Sequence, residues 1–215
     1  SGTQIKHSDT ASTAAGAFPT LDLSGVSSNM TVLKKISPTA RVTNSSLTSN
    51  VATLTMADAH GLAVNDVVYI SGVGSPYDGV RTVASAPTST TFTFALTNSN
   101  IASAAVSPVG YAYKKDGANS AAIIPYEVSV TPSAGSTTVD EIVDTPDSGL
   151  TFVASSSQIK DVNRTTFTNF ADPVFDSTES SLSPRPYHFT GPFYASSSTT
   201  AFLRYKMKVS TAASG

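Results

Sequence analysis

Apolar residues recur along this chain at every second position, in short runs that turn-forming residues interrupt. The cleanest case is Val51–Met56, where Ala52, Leu54 and Met56 fall on one face and Val51, Thr53 and Thr55 on the other. Val67-Val68-Tyr69-Ile70 is a β-branched and aromatic run of strand length, and Thr91-Phe92-Thr93-Phe94 alternates hydroxyl with aromatic. Between them, Ser75-Pro76-Tyr77-Asp78-Gly79 predicts a tight reversal in which Asp-Gly supplies positive φ. Val80-Arg81-Thr82-Val83 returns, and Ala86-Pro87-Thr88 turns again. Ala40-Arg41-Val42-Thr43 predicts a strand broken by Asn44-Ser45-Ser46, and Pro108-Val109-Gly110-Tyr111-Ala112-Tyr113 a strand closing the sheet. No stretch of this region leaves room for a helix.

Downstream, residues 121–130 and 149–154 predict strands around a loop at 131–135, while 139–143 fits either a short strand or one helical turn. Asp172-Pro173 and Ser183-Pro184-Arg185-Pro186 mark loops, since proline cannot donate to a sheet ladder. Phe189, Phe193, Tyr194, Phe202 and Tyr205 supply apolar bulk. Residues 202–209 predict the last strand, with Arg204, Lys206 and Lys208 on a solvated face and Tyr205, Met207 and Val209 on the other.

The expected fold is all-β: a small β-barrel or sandwich module over residues 31–115, then a second β-sandwich-like region over 121–215, joined through a turn-rich linker. A single continuous domain with the module inserted is the alternative. Residues 1–30 are small and polar and read as an extended N-terminal arm. Its apolar residues Ile5, Phe18, Leu21 and Leu23 are candidate subunit-interface anchors. The arm either packs on its own domain or lies along a neighbouring subunit.

His60-Gly61-Leu62, Asn65-Asp66-Val67-Val68-Tyr69-Ile70-Ser71-Gly72-Val73, Tyr77-Asp78-Gly79 and Thr90-Thr91-Phe92-Thr93-Phe94 carry a resemblance. Together they resemble a small β-module of bacteriophage tail and capsid-associated proteins, with a "HGL, GD-V-I-SGV, Y-NG, TTF" skeleton. Asn65 stands where Gly is usual and Asp78 where Asn is usual; both tolerate left-handed backbone. The match covers about a fifth of the chain, and its landmarks are turn and core residues rather than an active site. It implies a structural component of a phage particle, a minor tail or fibre-base protein mediating subunit contacts. Its partners would be other virion structural proteins and copies of itself, and its location the virion, assembled in the host bacterial cytoplasm. A capsid decoration or cement protein is the alternative, and a carbohydrate-binding module meeting a host-surface glycan a third reading.

Composition fits such a role. Ser and Thr make up roughly 30% of the chain, far above ordinary usage. Charged residues are 13%, whereas a free cytoplasmic protein usually keeps more charge for solubility. A net charge of −2, with isolated basic pairs at Lys34-Lys35 and Lys114-Lys115, argues against nucleic acid as a partner. No window suits a membrane span. Residues 1–4 lack a signal peptide's basic and apolar regions, and Ser1 is the kind of residue that initiator-Met removal leaves. There is no cysteine, hence no disulfide, thiolate site or cysteine nucleophile.

Candidate chemistry is sparse. His7, His60 and His188 lack ligand spacing: His60 reads as a ring packed on backbone, His188 as a structural histidine or part of an aromatic patch, and His7 offers no case for catalysis. Asp140, Glu141, Asp144 and Asp147 form the densest carboxylate group, read as a solvated loop. A glycosidase pair is the sharper reading and a weak Ca²⁺ site lies between, though no tryptophan exists to form a sugar platform and the spacing matches no EF-hand. Gly72-Val73-Gly74-Ser75-Pro76 is neither a nucleophile elbow nor a phosphate loop. The chain is therefore expected to be no enzyme and to need no cofactor. The tyrosine-bearing stretch 183–194 is the candidate sugar-stacking surface.

Overall fold

The alternation seen in the sequence becomes strand after strand in the computed structural model, which describes the backbone of Gln4–Ser8 and residues 30–116 and 121–209. The strands are β1 (Gln4–Ser8), β2 (Met30–Ile36), β3 (Arg41–Thr48), β4 (Val51–Met56), β5 (Val67–Ser71), β6 (Gly79–Thr82), β7 (Thr91–Ala95) and β8 (Ile101–Lys114). They continue as β9 (Ile123–Pro132), β10 (Ser136–Thr145), β11 (Leu150–Phe152), β12 (Gln158–Asp161), β13 (Arg164–Asn169), β14 (Tyr187–Ser196) and β15 (Ala201–Val209). Two short 3-10 turns, Pro38–Ala40 and Ser177–Glu179, complete the regular structure of the described residues. The protein is all-β, and its chain divides into two compact units, with Ile36–Pro125 set between the two parts of the other.

The inserted unit is a nearly closed barrel with strand order β6-β5-β8-β3-β4-β7. Its two ends meet just past β6, where the Ala84 N–H donates to Thr93 O and the Thr93 N–H donates to Ser85 O, each at 2.8 Å. The inward residues that alternation selects, among them Leu47, Ala52, Leu54, Val68, Ile70, Phe92 and Phe94, are fully buried. Asn44-Ser45-Ser46 does not break β3. That strand runs between β4 and β8, so its backbone is paired on both sides, and a bulge between Val42 and Asn44 absorbs the polar residues. The reversal comes later, at Ser49 and Asn50 (φ 51° and 63°), a two-residue hairpin turn with positive φ at both positions.

The segments around His60-Gly61-Leu62 and Tyr77-Asp78-Gly79 hold the turns of this barrel. Gly61 (φ 62°) and Gly79 (φ 112°) occupy the left-handed region, as expected, and so does Asn65 (φ 72°). Asp78 works through its side chain, which accepts hydrogen bonds from the Val73 N–H at 3.0 Å and the Gly74 N–H at 3.1 Å. Arg81 closes the same loop by donating to the carbonyls of Pro76 and Asp78, each at 2.8 Å. Tyr77 plugs the core beneath it.

The second unit is a sandwich of a three-stranded sheet, β1-β10-β14, and a larger sheet ordered β13-β12-β15-β9-β2, to which β11 adds beside β15. Both sheets contribute to one core: Val139, Ile142, Phe189 and Phe193 from the first, Val32, Val128, Val130, Ile159, Leu203, Tyr205 and Met207 from the second. The stretch at 139–143 is strand, part of β10. β2 belongs to this sheet rather than to the barrel, because Val32 and the residues alternating with it face the sandwich core. Where β10 meets β14 the register shifts between Val139 and Glu141, and a Cβ at Gly191 would run into the carbonyl oxygens of Val139 and Asp140.

The Asp-Gly turn is testable on its own. A Cβ at Gly79 meets nothing nearer than the Arg81 guanidinium at 3.6 Å, so Gly79→Val carries the cost of its backbone conformation rather than of a clash. It is expected to lower stability by roughly 1–3 kcal/mol in chemical denaturation; an unchanged unfolding midpoint would remove the hairpin argument.

Candidate functional site

The four carboxylates grouped by sequence do not stay together. Asp140, Glu141 and Asp144 lie on β10, whose alternation separates them, and Asp147 falls in the loop beyond it. Asp144 is no solvated loop residue. It is 1% exposed, accepts a hydrogen bond and ion pair from Lys34 Nζ at 2.7 Å, and accepts another from the Tyr205 hydroxyl at 2.8 Å. Lys34 comes from β2 and Tyr205 from β15, so the carboxylate bridges the two sheets. The Lys34 ammonium also lies 4.6 Å from the centre of the Tyr126 ring, which stacks on Tyr205. This arrangement locks a core; it leaves Asp144 no role as half of a glycosidase pair.

The described histidines are both structural in geometry. His60 Nδ1 accepts the Leu62 N–H at 2.8 Å, and its ring meets Phe92 edge-on, 5.7 Å between centres. His188, 5% exposed, sits between two carboxylates: Nδ1 lies 2.9 Å from Glu141 and Nε2 2.7 Å from Glu179. Burial opposes its charge, but the hydrogen bonds to Glu179 and Glu141 outweigh that, so its pKa stands above the ordinary 6.5. Among the described residues, no group of three or more His, Asp or Glu side chains is placed to hold a metal ion.

What the fold does assemble is surface. On the outside of the barrel, Val80, Tyr69 and Tyr113 stand in register across β6, β5 and β8, with Tyr111 stacked on Tyr113 at 5.7 Å between centres and paired with Arg41 of β3. Tyr69 and Val80 remain 43% and 50% exposed. The sequence reading missed this row, because its members are brought together by pairing between strands far apart in the chain. The stretch 183–194 is instead largely strand β14: Tyr187 packs against Phe152 and Phe175, and Tyr194 is half-buried.

On the outer face of the larger sandwich sheet, Arg204 stacks 3.7 Å from the centre of Phe167 and bonds Glu127 at 2.8 Å. Lys160 lies near both Phe167 and Phe202, and Lys35 pairs with Glu127 at 3.2 Å. The strand face expected to be simply solvated is thus a cation–aromatic network at Arg204, while Lys208 pairs with Asp116. A shallow depression of about 230 Å³ lined by Thr138, Val162, Asn163 and Tyr194 is smaller than an ordinary ligand pocket.

Of the proposed anchors, Ile5 lies in β1, whose backbone pairs in parallel with β10, Ile5 opposite Ile142. Phe18, Leu21 and Leu23, like most of the arm, lie outside the described residues. No family model, curated protein or solved structure matches this chain.

The buried pair gives a sharp expectation. Asp144→Asn removes the carboxylate charge that Lys34 meets in the core and should cost about 3–5 kcal/mol, whereas Asp140→Asn, on the exposed side of the same strand, should stay within about 0.5 kcal/mol. Paired urea melts of the two variants check this; equal midpoints would mean the sheets do not depend on the pair.

Proposed function

We propose that this protein is a structural component of a bacteriophage particle, a minor tail or fibre-base protein that mediates subunit contacts. The observation that carries the reading is the use made of the phage-like pattern: Gly61, Asn65, Asp78 and Gly79 shape turns, while Tyr77, Phe92 and Phe94 fill the barrel core. These residues build a rigid module and leave its outer faces to partners. The tyrosine row of the barrel and the cation–aromatic face of the sandwich are surfaces of the kind protein interfaces favour, rich in Tyr and Arg. The mechanism is mechanical and associative, with no catalytic step, and Phe18, Leu21 and Leu23 serve as anchors on neighbouring subunits.

A second reading rests on the tyrosine row alone. Tyr69, Tyr111 and Tyr113 present aromatic rings on one flat face, the chemistry by which a module stacks on a host-surface glycan. Binding on a glycan array that is lost in Tyr69→Ala would favour it; silence there, with normal particle assembly, favours the structural role.

Deletion of residues 9–26, which leaves β1 in its sheet, tests the stapling mechanism. The expected product is a soluble β-rich protein that no longer incorporates into particles, each lost anchor having contributed on the order of 1.5–3 kcal/mol if fully buried. Limited proteolysis of the full chain should cut within residues 9–26 quickly in free protein and slowly in the assembly. Equal resistance in both states would mean the arm packs on its own domain, and stapling would have to be dropped.

A further inference from the structure

The segment 172–186 carries three prolines, of which Pro186 at its end is buried, while Val174, Phe175 and Leu182 are 58%, 47% and 48% exposed, so apolar burial anchors its end more than its middle. It touches the sandwich at few points. Val174 and His188 exchange a pair of backbone hydrogen bonds at 2.9 and 3.0 Å, and the Asp172 carboxylate accepts the Ser155 N–H at 2.7 Å. Phe175 lies against Tyr187 with 5.0 Å between ring centres and under the Arg185 guanidinium. The side chain of His188 ties it as well. Glu141 reaches it from β10 and Glu179 from the 3-10 turn Ser177–Glu179, at 2.9 and 2.7 Å. That turn is itself fixed by the Asp176 carboxylate, which accepts the Thr178 N–H at 2.8 Å.

A neutral imidazole has one N–H donor and one lone pair. Two carboxylates at hydrogen-bond distance from its two nitrogens can both be satisfied only by the imidazolium. Without its proton, one of the two carboxylates faces a lone pair. The carboxylate on β10 is held by the sheet, so the one on the short turn is the partner able to leave.

We propose that Glu141, His188 and Glu179 form a proton-operated clasp: the imidazolium pins segment 172–186 against β14, and loss of its proton releases that segment. The other ionisable groups packed around it do not substitute for it. Asp144, further along β10, turns to the core and Lys34. On the segment, Asp172 and Asp176 accept from backbone N–H groups, and Arg185 donates to the Asp176 carbonyl. β1, beyond β10, carries Lys6 and His7 at the positions paired with Val143 and Asp144. Because the folded state raises the His188 pKa, the clasp's contribution is complete below the unfolded value near 6.5 and is lost as pH rises through the folded value. The clasp is shut at mildly acid pH and opens on the alkaline side.

Amide hydrogen exchange of Val174 and Leu182, corrected for intrinsic rates and followed from about pH 6 to about pH 9 alongside the His188 ring resonances, tests this directly. Protection of both amides should fall several-fold along a one-proton curve that coincides with the His188 titration. Glu179→Gln, whose amide can donate to the neutral ring, should move the His188 titration to lower pH and flatten the protection curve, and in His188→Gln the segment should exchange fast at every pH. Should His188→Gln fail to fold, Glu179→Gln, in a surface turn, carries the test alone. Protection that holds while His188 titrates would overturn the clasp, as would a pH response that persists in His188→Gln and so belongs to another group such as His7.

Discussion

The sandwich turns on one buried contact between its sheets. An ammonium and a carboxylate withdrawn from water each lose hydration worth several kcal/mol, and mutual attraction repays that only when geometry and further hydrogen bonds are good. Lys34 and Asp144 meet at 2.7 Å, with the Tyr205 hydroxyl on the second carboxylate oxygen and the Tyr126 ring beside the ammonium. Such a cluster is demanding about position in a way that leucines are not. A slip of one residue in β2 or β10 would turn one charge outward and strand the other in the core. The pair therefore fixes register between strands 110 residues apart, and the surrounding apolar residues, Val32, Ile142, Phe189 and Leu203, pack into a frame already aligned.

The barrel reaches definition by another route. Its core is built from apolar residues such as Leu47, Leu54, Ile70, Phe92 and Phe94 together with Tyr77, and specificity comes from turns whose backbone few residues tolerate. Ser49, Asn50, Asn65 and Gly79 all hold positive φ; Ser49 and Asn50 set the register of β3 against β4, and Gly79 that of β5 against β6. The two units thus illustrate two solutions to the same problem, a polar lock inside one and local chain chemistry in the other.

That difference explains what could be read in advance. The barrel strands were legible because local alternation and turn residues specify them, as with Val51–Met56 and Tyr77-Asp78-Gly79. The polar break expected at Asn44-Ser45-Ser46 failed because β3 is paired on both edges and a bulge absorbs the mismatch. In the sandwich, Asp144 looked like part of an acidic loop and Lys34 like half of an isolated basic pair, since the partner that makes each burial tolerable lies far along the chain. β12 and β13 also escaped notice: Gln158–Asp161 and Arg164–Asn169 are short and polar, and the pairing of β12 with β15 and of β13 with β12, rather than their composition, makes them strands. The tyrosine row and the His188 clasp are likewise products of pairing, invisible to any local window.

The placement of the barrel between β2 and the rest of the sandwich matters for how the chain is made. As it leaves the ribosome, β2 emerges with no neighbour to pair with, while the next ninety residues, Ile36–Pro125, already hold everything the barrel needs. The barrel can form first, as a finished bead on the nascent chain. Lys34 precedes that segment in the chain and Asp144 follows it, so their pair can close only after the whole barrel sequence has been made.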